Sequence, residues 1–318
     1  MKKTLLAKVF AGFLLCAILL SFTPAAFSEV RIMSYNIKDF WLRFDGEPQI
    51  IVPGEGAMLE QEDLSQIATV AGVINRVNPD VVGILECASL TEIRFFNQGF
   101  LANRYQCFSF RAYDSRISGI PLGLLVRKDL KVESINLVDP ESFSDRGIIV
   151  ADIVKQDYHF TLILVHFKSK IEQKPGTSAL KRNEQGNRLR EIIQQLLEKD
   201  PKANIIICGD FNDEPGLDHQ EKAAGVADLI ETLAKSITLS NGQKVALYNA
   251  TLLTSDRDKN KELWTVKSKG YPPSLFDYFF LTEGSYHEFK AVDHIYPEEF
   301  TSILEASDHI PVVLYLQE

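Results

Sequence analysis

The sequence predicts an α/β fold in which two packed β-sheets are flanked by helices. Apolar segments of β type outnumber helical ones along the 318 residues, and several follow one another with no helix between them. Such direct succession favours antiparallel or mixed sheets over a doubly wound sheet, in which strands and helices alternate. The chain shows no internal repeat, heptad pattern or low-complexity tract.

The first 28 residues have the pattern of a secretory signal peptide. Lys2, Lys3 and Lys8 precede an apolar run over residues 9–22, and Ala26-x-Ser28 supplies a small-residue cleavage signal. The run is short for a membrane-spanning helix, although a retained anchor is the alternative. We therefore expect a signal peptide over residues 1–28, one domain over residues 29–318, export to the periplasm or outside the cell, and no lasting membrane insertion.

The exported chain is acidic and contains few cysteines. Its formal charge changes from −9 to −12 because three lysines leave with the signal peptide. An acidic protein attracts a polyanion only where clustered cations or a bound divalent metal reverse the local field. Cys208 lies in an apolar segment, so Cys87 with Cys107 is the one disulfide that export would allow.

Hydrophobic periodicity assigns the elements in order. Residues 30–37 are rich in β-formers and predict the first strand. Residues 42–60, rich in Gly and Pro, form a long loop, and a helix over residues 64–77 stops at Asn78-Pro79. Further strands are predicted at residues 81–86, 105–111, 122–127, 132–138 (an edge strand), 147–154, 159–167, 205–208, 274–281 and 312–316. Further helices are predicted at residues 180–197 and 220–236, with irregular structure over residues 237–270.

The apolar run at residues 205–208 ends abruptly in polar groups. Gly209 allows the backbone to turn and Pro215 prevents the strand from continuing. Asp210 and Asn212 are two residues apart, so on an extended chain their side chains point the same way. A buried strand that runs into an Asx-type turn would explain the same residues without any function.

Polar side chains stand in or beside many of the apolar segments. A buried charge is costly unless it is paired or bound to metal, so one shared polar site is the simplest explanation. Carboxylate and amide oxygens suit a hard cation such as Mg²⁺, with Mn²⁺ or Ca²⁺ as alternatives. A histidine can donate to or accept from a reacting oxygen near neutral pH. The residues concerned are Asn36, Glu86, His166, Asp210, Asn212, Asp277, Asp308 and His309.

Six short motifs carry a resemblance to a known superfamily. The motifs are SYNI at residues 34–37, ILE at 84–86, VHFKS at 165–169, GDFNDEP at 209–215, FDY at 276–278 and SDHIP at 307–311. In this order they resemble the endonuclease/exonuclease/phosphatase superfamily, which includes pancreatic deoxyribonuclease, abasic-site endonucleases and neutral sphingomyelinases. The resemblance implies a four-layer α/β sandwich with the active site at one edge of the two central sheets.

The resemblance also implies a role for each site residue. Glu86 would bind the metal, with Asn36 and Asp308 helping to position it or its water. Asp210 would orient or deprotonate the attacking water, and Asn212 would contact the phosphate.

Two histidines complete the implied catalytic set. His309 would contact the scissile phosphate and pair with Asp277, an arrangement that favours the protonated imidazole. His166 would be the second histidine, which in the pancreatic enzyme is a proposed general acid.

Three residues depart from the patterns of individual family members. Lys38 stands where an abasic-site enzyme has an aspartate, which argues against that specificity. No glutamate is present between residues 104 and 127 to support His166, where only Asp114 is available. Leu275 replaces an arginine that often precedes the aspartate of the FDY motif.

Residues beside these motifs are predicted to contact phosphate or to have structural roles only. Arg146 and Lys168 are candidate phosphate contacts. Asp213 and Glu214 are expected to serve the turn that follows the strand. Arg182 is expected, together with Arg188, on a solvated helix face.

The sequence predicts a secreted, metal-dependent phosphodiesterase. The leading specificity is for DNA, which makes the protein a nuclease. We expect it to be a monomer. A sphingomyelinase or other phospholipid phosphodiesterase is the nearest alternative. Exposed aromatic residues in the 42–60 loop region, such as Trp41 and Phe44, would favour it. The alternative from another functional class is a binding protein, a member of the superfamily that binds its ligand without cleaving it.

Overall fold

A computed structural model describes residues 29–38, 61–87, 90–110, 122–138, 146–172, 174–255 and 263–317. Three sequence predictions lie outside these residues: the signal peptide, the 42–60 loop region with Trp41 and Phe44, and Asp114 as the available partner of His166. The division into a signal peptide and one domain therefore stays a prediction.

Strands and helices alternate irregularly along the described chain. The strands are β1 (Val30–Asn36), β2 (Val81–Leu85), β3 (Tyr105–Phe110), β4 (Leu122–Arg127), β5 (Lys131–Val138), β6 (Ile148–Lys155), β7 (Tyr158–His166), β8 (Ile205–Asp210), β9 (Ile237–Thr238), β10 (Lys244–Val245), β11 (Leu247–Asn249), β12 (Asp277–Thr282), β13 (Phe289–His294) and β14 (Val312–Leu316). The helices are α1 (Gln61–Val77), α2 (Leu90–Phe100), α3 (Thr177–Lys199), α4 (His219–Ala224), α5 (Leu229–Leu233), α6 (Ala250–Ser255), α7 (Glu283–Tyr286) and α8 (Ile303–Ala306).

Two six-stranded mixed sheets form the centre of the described structure. The first has the order β13-β14-β1-β2-β4-β3 and the second the order β11-β12-β8-β7-β6-β5. Each contains one parallel pair, β1 with β2 and β7 with β8, among antiparallel neighbours. The parallel pairs lie in the middle of their sheets. The carboxyl ends of the two strands in each pair therefore lie together at one edge of that sheet.

The core is divided into three apolar layers, and this confirms the predicted α/β sandwich. One layer lies between the sheets and includes Leu85, Leu164 and Cys208. A second packs α1 and α2 against the first sheet, and a third packs α3 against the second sheet. Helix, sheet, sheet and helix therefore succeed one another, as the burial of both faces of each sheet requires.

Three element predictions were wrong. The irregular structure predicted over residues 237–270 contains three short strands, β9, β10 and β11, and the helix α6. The helix predicted over residues 220–236 is two short helices, because Gly225 ends α4 with a left-handed backbone (φ 67°) and Asp228 caps the start of α5. The strand predicted from residue 274 begins at Asp277, since Ser274 pairs instead with Val266 in an isolated bridge.

Cys87, Cys107 and Cys208 are present as thiols, so the disulfide that the sequence allowed is not formed. Within the described ranges, no helix combines the length and apolar character needed to cross a membrane.

Candidate active site

The ends of the central strands bring the predicted polar residues together. His166, Asp210 and Asp277 are direct neighbours in register on β7, β8 and β12. In the other sheet Asn36 is paired with Leu85, the residue before Glu86. Both sheets therefore deliver polar side chains to the same edge of the sandwich.

Asn36 joins the two sheets at this edge. Its Nδ2 lies 3.2 Å from Glu86 Oε1 and 3.2 Å from Asp210 Oδ2, and 3.5 Å from His309 Nε2. The side chain is 1 % exposed. Because one amide contacts two carboxylates from different sheets, it fixes the spacing between them.

His309 and Asp277 form a buried ion pair. His309 Nδ1 lies 2.8 Å from Asp277 Oδ2. Burial alone would lower the pKa of His309, but the charge and hydrogen bond of Asp277 outweigh burial and raise this pKa to about 9. The imidazole is therefore protonated at neutral pH, and its Nε2–H is directed toward the site, 3.8 Å from Asp210 Oδ2.

Two hydroxyl groups hold this ion pair in place. Ser307 Oγ accepts the backbone N–H of His309 (3.1 Å) and donates to the carbonyl of Asn36 (2.8 Å). Thr265 Oγ1 accepts the backbone N–H of Asp277 (3.1 Å). The position of Ser307 in the SDHIP motif signalled a link to His309, whereas no sequence pattern placed Thr265 beside Asp277.

Asp210 is a buried carboxyl group in an acidic environment. Burial raises the pKa of Asp210 to about 7, the negative charge of Asp277 acts in the same direction, and the positive charge of His309 opposes both. A carboxyl group with a pKa near 7 is suited to exchange a proton with water at physiological pH.

His166 is buried beside the same carboxylates. Its Nε2 lies 3.5 Å from Asp210 Oδ2 and 3.7 Å from Glu86 Oε1. Burial holds the pKa of His166 well below its usual range, and the positive charges of Arg146 and His309 lower it further. The imidazole is therefore neutral, unlike that of His309.

Asn212 and Arg146 share one backbone acceptor. Asn212 Nδ2 donates to the carbonyl of Phe167 (3.1 Å), and Arg146 Nη1 donates to the same oxygen (2.7 Å). The Asn212 backbone N–H donates to Asp210 Oδ1 (2.8 Å), so the Asx-type turn that the sequence allowed is present within the site.

Gly209 allows a close approach between β7 and β8. Its φ is 141°, and a Cβ atom built there would lie 1.9 Å from the carbonyl oxygen of Val165. Any side chain would push β8 away from β7, and with it Asp210 away from His166. The glycine acts within the strand and not as the turn that the sequence suggested.

Three site residues other than glycine have a left-handed backbone. They are Lys38 (φ 45°), Glu86 (φ 56°) and Asn212 (φ 51°), and each lies one or two residues beyond the end of a central strand. This conformation costs of order 1–3 kcal/mol and persists where the surroundings impose it, which is common at functional sites.

Asp308 and Lys168 lie apart from this cluster. Asp308 Oδ2 accepts from Ser268 Oγ (2.6 Å) and from Lys38 Nζ (3.2 Å). These two donors and the charge of His309 hold the pKa of Asp308 below its usual range, although burial acts against them. The Lys168 ammonium donates to the carbonyl of Ile171 (3.3 Å), so the described structure shows it turned along its own loop.

The prediction for Arg182 was wrong. Arg182, expected on a solvated helix face, is fully buried (0 % exposed) and donates from Nε to Asp213 Oδ2 at 2.9 Å. The spacing of Arg182, Gln185, Leu189 and Ile193 along α3 places them on one face, and Leu189 and Ile193 mark that face as buried. That spacing was the available signal.

The donor set fits a divalent cation. Glu86, Asp210 and Asp277 converge with one protonated histidine to offset their charge. Burial is the main cause of the raised pKa of Asp210, and the negative charge of Asp277 adds to it. Ligand atoms of Asp210, Asp277 and His309 also lie within 4.8 Å of one another. However, Asp277 and His309 already neutralise each other, so Glu86 and Asp210 remain as the candidate oxygen donors for Mg²⁺, and Asn36 holds both carboxylates through its amide NH₂.

Fold and site together define a class of protein. A polar edge of two mixed sheets, with an acidic metal-binding cluster and a carboxylate-paired histidine, is the arrangement of a metal-dependent phosphoesterase. The chain belongs to the Endonuclease/Exonuclease/phosphatase family, whose profile matches residues 55–259. No curated protein matches the sequence at a significant level.

Solved structures resemble the chain over most of its length. D. rerio TDP2 complexed with single-strand DNA product is 16 % identical with a TM-score of 0.56, over 91 % of this chain and 98 % of that one. The human Nocturnin catalytic domain with bound sulfate is 16 % identical with a TM-score of 0.60, over 91 % and 95 %. An AP endonuclease from Archaeoglobus fulgidus is 14 % identical with a TM-score of 0.56, over 90 % and 99 %. At such identities the likeness describes the fold.

Proposed function

We propose that the chain is an exported, Mg²⁺-dependent phosphodiesterase that hydrolyses nucleic acid, with DNA as the leading substrate. The observation that carries the proposal is the position of the Asn36 amide between Glu86, Asp210 and His309. A candidate metal ligand, a candidate base and a protonated imidazole lie around this amide, and such a grouping supports hydrolysis of a phosphodiester.

Each residue then has a role that follows from its environment. Asp210, with its pKa raised to about 7, orients the attacking water and accepts its proton. His309, with its pKa raised to about 9, donates a hydrogen bond to a phosphoryl oxygen as negative charge develops there. Asn212 and Arg146 supply further N–H donors to the phosphate from the neighbouring loops.

His166 has a different role from the general acid that the resemblance implied. Its pKa is held well below the usual range by burial, so it carries no spare proton at neutral pH. With the proton on Nε2, the neutral ring donates toward Asp210 and Glu86. We propose that it orients these two carboxylates.

A divalent cation completes the site. Glu86 would hold it, with Asp308 available once Lys38 is displaced, and the Asn36 amide would keep Glu86 beside Asp210, which acts on the water. The bound cation supplies charge neutralisation at the phosphoryl oxygens. It also offsets the negative charge of the chain near a polyanionic substrate.

Nucleic acid is favoured as substrate by two observations. TDP2 was solved with a single-strand DNA product, and the Archaeoglobus fulgidus protein is an AP endonuclease, both with this fold. In the present chain Lys38, paired with Asp308, replaces the aspartate expected of an abasic-site enzyme. We therefore propose cleavage of ordinary phosphodiester bonds without a requirement for an abasic site.

The test compares substrates with the purified chain that lacks residues 1–28. Supercoiled plasmid, a single-stranded oligodeoxynucleotide, RNA and sphingomyelin vesicles are each incubated with Mg²⁺ or with EDTA. We expect Mg²⁺-dependent cleavage of DNA that is lost in H309N. Turnover of sphingomyelin alone would establish the phospholipid alternative, and metal binding without turnover of any substrate would establish a binding protein.

Export is proposed on the first 28 residues. We expect the protein in the periplasmic or culture fraction with its amino terminus near Glu29. Amino-terminal sequencing of the fractionated protein tests this, and an intact Met1 in the cytoplasmic fraction would contradict it.

A further inference from the structure

Arg182 is a buried arginine that the proposed mechanism does not use. It lies near the start of α3 and is 0 % exposed, and its partner Asp213 is 1 % exposed. We propose that Arg182 is a positioning residue that holds Asn212 in place through Asp213 and the Lys168 carbonyl. This inference rests on the proposed function, since the role of Asn212 as a phosphate contact belongs to it.

The guanidinium connects three segments of the chain. Its Nε donates to Asp213 Oδ2 (2.9 Å), after β8, and its Nη2 donates to Gln220 Oε1 (3.1 Å), in α4. Its Nη1 lies 3.5 Å from the carbonyl oxygen of Lys168, after β7. One side chain therefore ties together the two loops that leave the parallel strands of the second sheet.

The contacts of Arg182 with Asp213 and with the Lys168 carbonyl lie next to the hydrogen bond that orients Asn212. Asp213 follows Asn212, and Lys168 follows Phe167, whose carbonyl accepts from Asn212 Nδ2 at 3.1 Å. Arg182 therefore holds the residues adjacent to the donor and to the acceptor of that bond. Asparagine tolerates the left-handed backbone of Asn212 (φ 51°), so the support concerns the direction of its side chain, which the bond to Phe167 fixes.

The carboxylate of Asp213 is held from two sides. Arg182 contacts Oδ2, and Lys170 Nζ lies 3.0 Å from Oδ1. Lys170 also contacts Asp218 Oδ2 at 2.9 Å. Replacement of Arg182 by Met therefore leaves Asp213 with one cationic partner, so the variant remains able to fold while the geometry of the turn is released.

The planar fork of arginine explains the residue type. Three N–H groups of one rigid plane reach acceptors on three segments, which the single ammonium of lysine cannot reproduce. An apolar side chain of similar volume would fill the space without this geometry. We therefore expect R182K to behave like R182M and not like the wild type.

Arg190 provides a matched control on the same helix. It lies about 12 Å further along the axis. Its guanidinium donates to the carbonyl of Thr232 (3.0 Å), in the last turn of α5, and to the carbonyls of Lys235 (2.6 Å) and Ser236 (2.9 Å), just beyond that helix. R190M therefore also removes an arginine that joins α3 to another segment. The segment that Arg190 contacts carries no site residue.

The kinetic test measures kcat and KM of R182M, R182K, R190M, D213N and R182M/D213N on the DNA substrate, at a temperature where circular dichroism shows all of them folded. We expect R182M and R182K to lower kcat by about 10- to 100-fold, as small misplacements do, and to change KM less. We expect R190M to keep the wild-type kcat. R182M/D213N should lose no more than R182M, because Arg182 acts through Asp213.

A second readout does not depend on activity. Hydrogen exchange of residues 211–216 should be faster in R182M than in the wild type or R190M, while Mn²⁺ affinity stays within about twofold of the wild type because the metal ligands are not touched. If the wild type hydrolyses no phosphodiester, the proposed function fails. Hydrogen exchange still tests whether Arg182 holds residues 211–216 in place. Unchanged exchange in R182M, or a wild-type kcat in R182M, would overturn the inference.

Discussion

His309 Nδ1 donates to Asp277 Oδ2 across 2.8 Å, and Asp277 is itself the first residue of β12 and the register partner of Asp210. A single buried contact thus fixes both the orientation and the charge of the imidazole beside the carboxylate that we assign as the base.

We expect D277N to lower kcat by about 10² to 10⁴-fold, the usual range for loss of acid–base or electrostatic assistance. An amide leaves His309 in place but no longer holds it protonated. D80N is the matched control, because Asp80 is also buried and paired, with Lys155 Nζ at 2.7 Å, but precedes β2 at the opposite end of that strand. Equal loss of kcat in D80N would show that general destabilisation explains the effect.

The same pair makes stability depend on pH. The folded pKa of His309, about 9, lies above its ordinary value of 6.5. A histidine with a raised folded pKa contributes stability that is fully present below pH 6.5 and is lost as the pH rises through about 9. In EDTA, the difference in Tm between wild type and D277N should therefore be largest near pH 6 and shrink toward pH 9.5. A constant difference across this range would contradict a protonated His309.

Glu86 is expected to dominate metal affinity. Its carboxylate contacts the Asn36 amide at 3.2 Å and is close to His166 and to the acidic cluster. We expect E86Q to weaken Mn²⁺ binding in calorimetry by about 10-fold or more, because removing one anionic ligand from a hard-cation site lowers affinity steeply. E133Q, at an exposed acidic residue paired with Lys131, controls for the change in net charge. Wild-type affinity in E86Q would place the metal elsewhere.

Lys38 is expected to compete with the metal for Asp308. Its ammonium lies 3.2 Å from Asp308 Oδ2 and its side chain is 54 % exposed. Because exposed ion pairs contribute only about 0.2–1 kcal/mol, K38M should tighten Mn²⁺ binding by no more than about fivefold and leave Tm almost unchanged. K290M, which breaks the equally exposed pair with Glu29, is the control. Weaker Mn²⁺ binding in K38M would show that Lys38 supports the metal instead.

The polar strand ends were predictable because burial of a charge is costly in any fold. Asn36, Glu86, His166, Asp210 and Asp277 stood out against apolar neighbours, and each lies in one of the motifs that carry the family resemblance. The fold followed from the succession of those apolar segments.

Other features depend on tertiary contacts that local sequence does not encode. The neutral state of His166 arises from complete burial and from the charges of Arg146 and His309. The turn of Lys38 toward Asp308 joins residues 270 positions apart. The burial of Arg182 was visible in the helical spacing, but its partner Asp213 was not, because Asp213 reaches it from another loop.

The central claim is that Asp210 acts on water at a metal-dependent site, and the rate of plasmid nicking by D210N in Mg²⁺ at pH 7.5 tests it most directly. Burial raises the pKa of Asp210 to about 7, so the ionised carboxylate destabilises the metal-free fold above its ordinary pKa of 3.8. We therefore expect D210N to have an equal or higher Tm in EDTA, yet to nick plasmid about 10³-fold or more slowly than the wild type. A folded D210N that nicks plasmid at the wild-type rate would contradict the account.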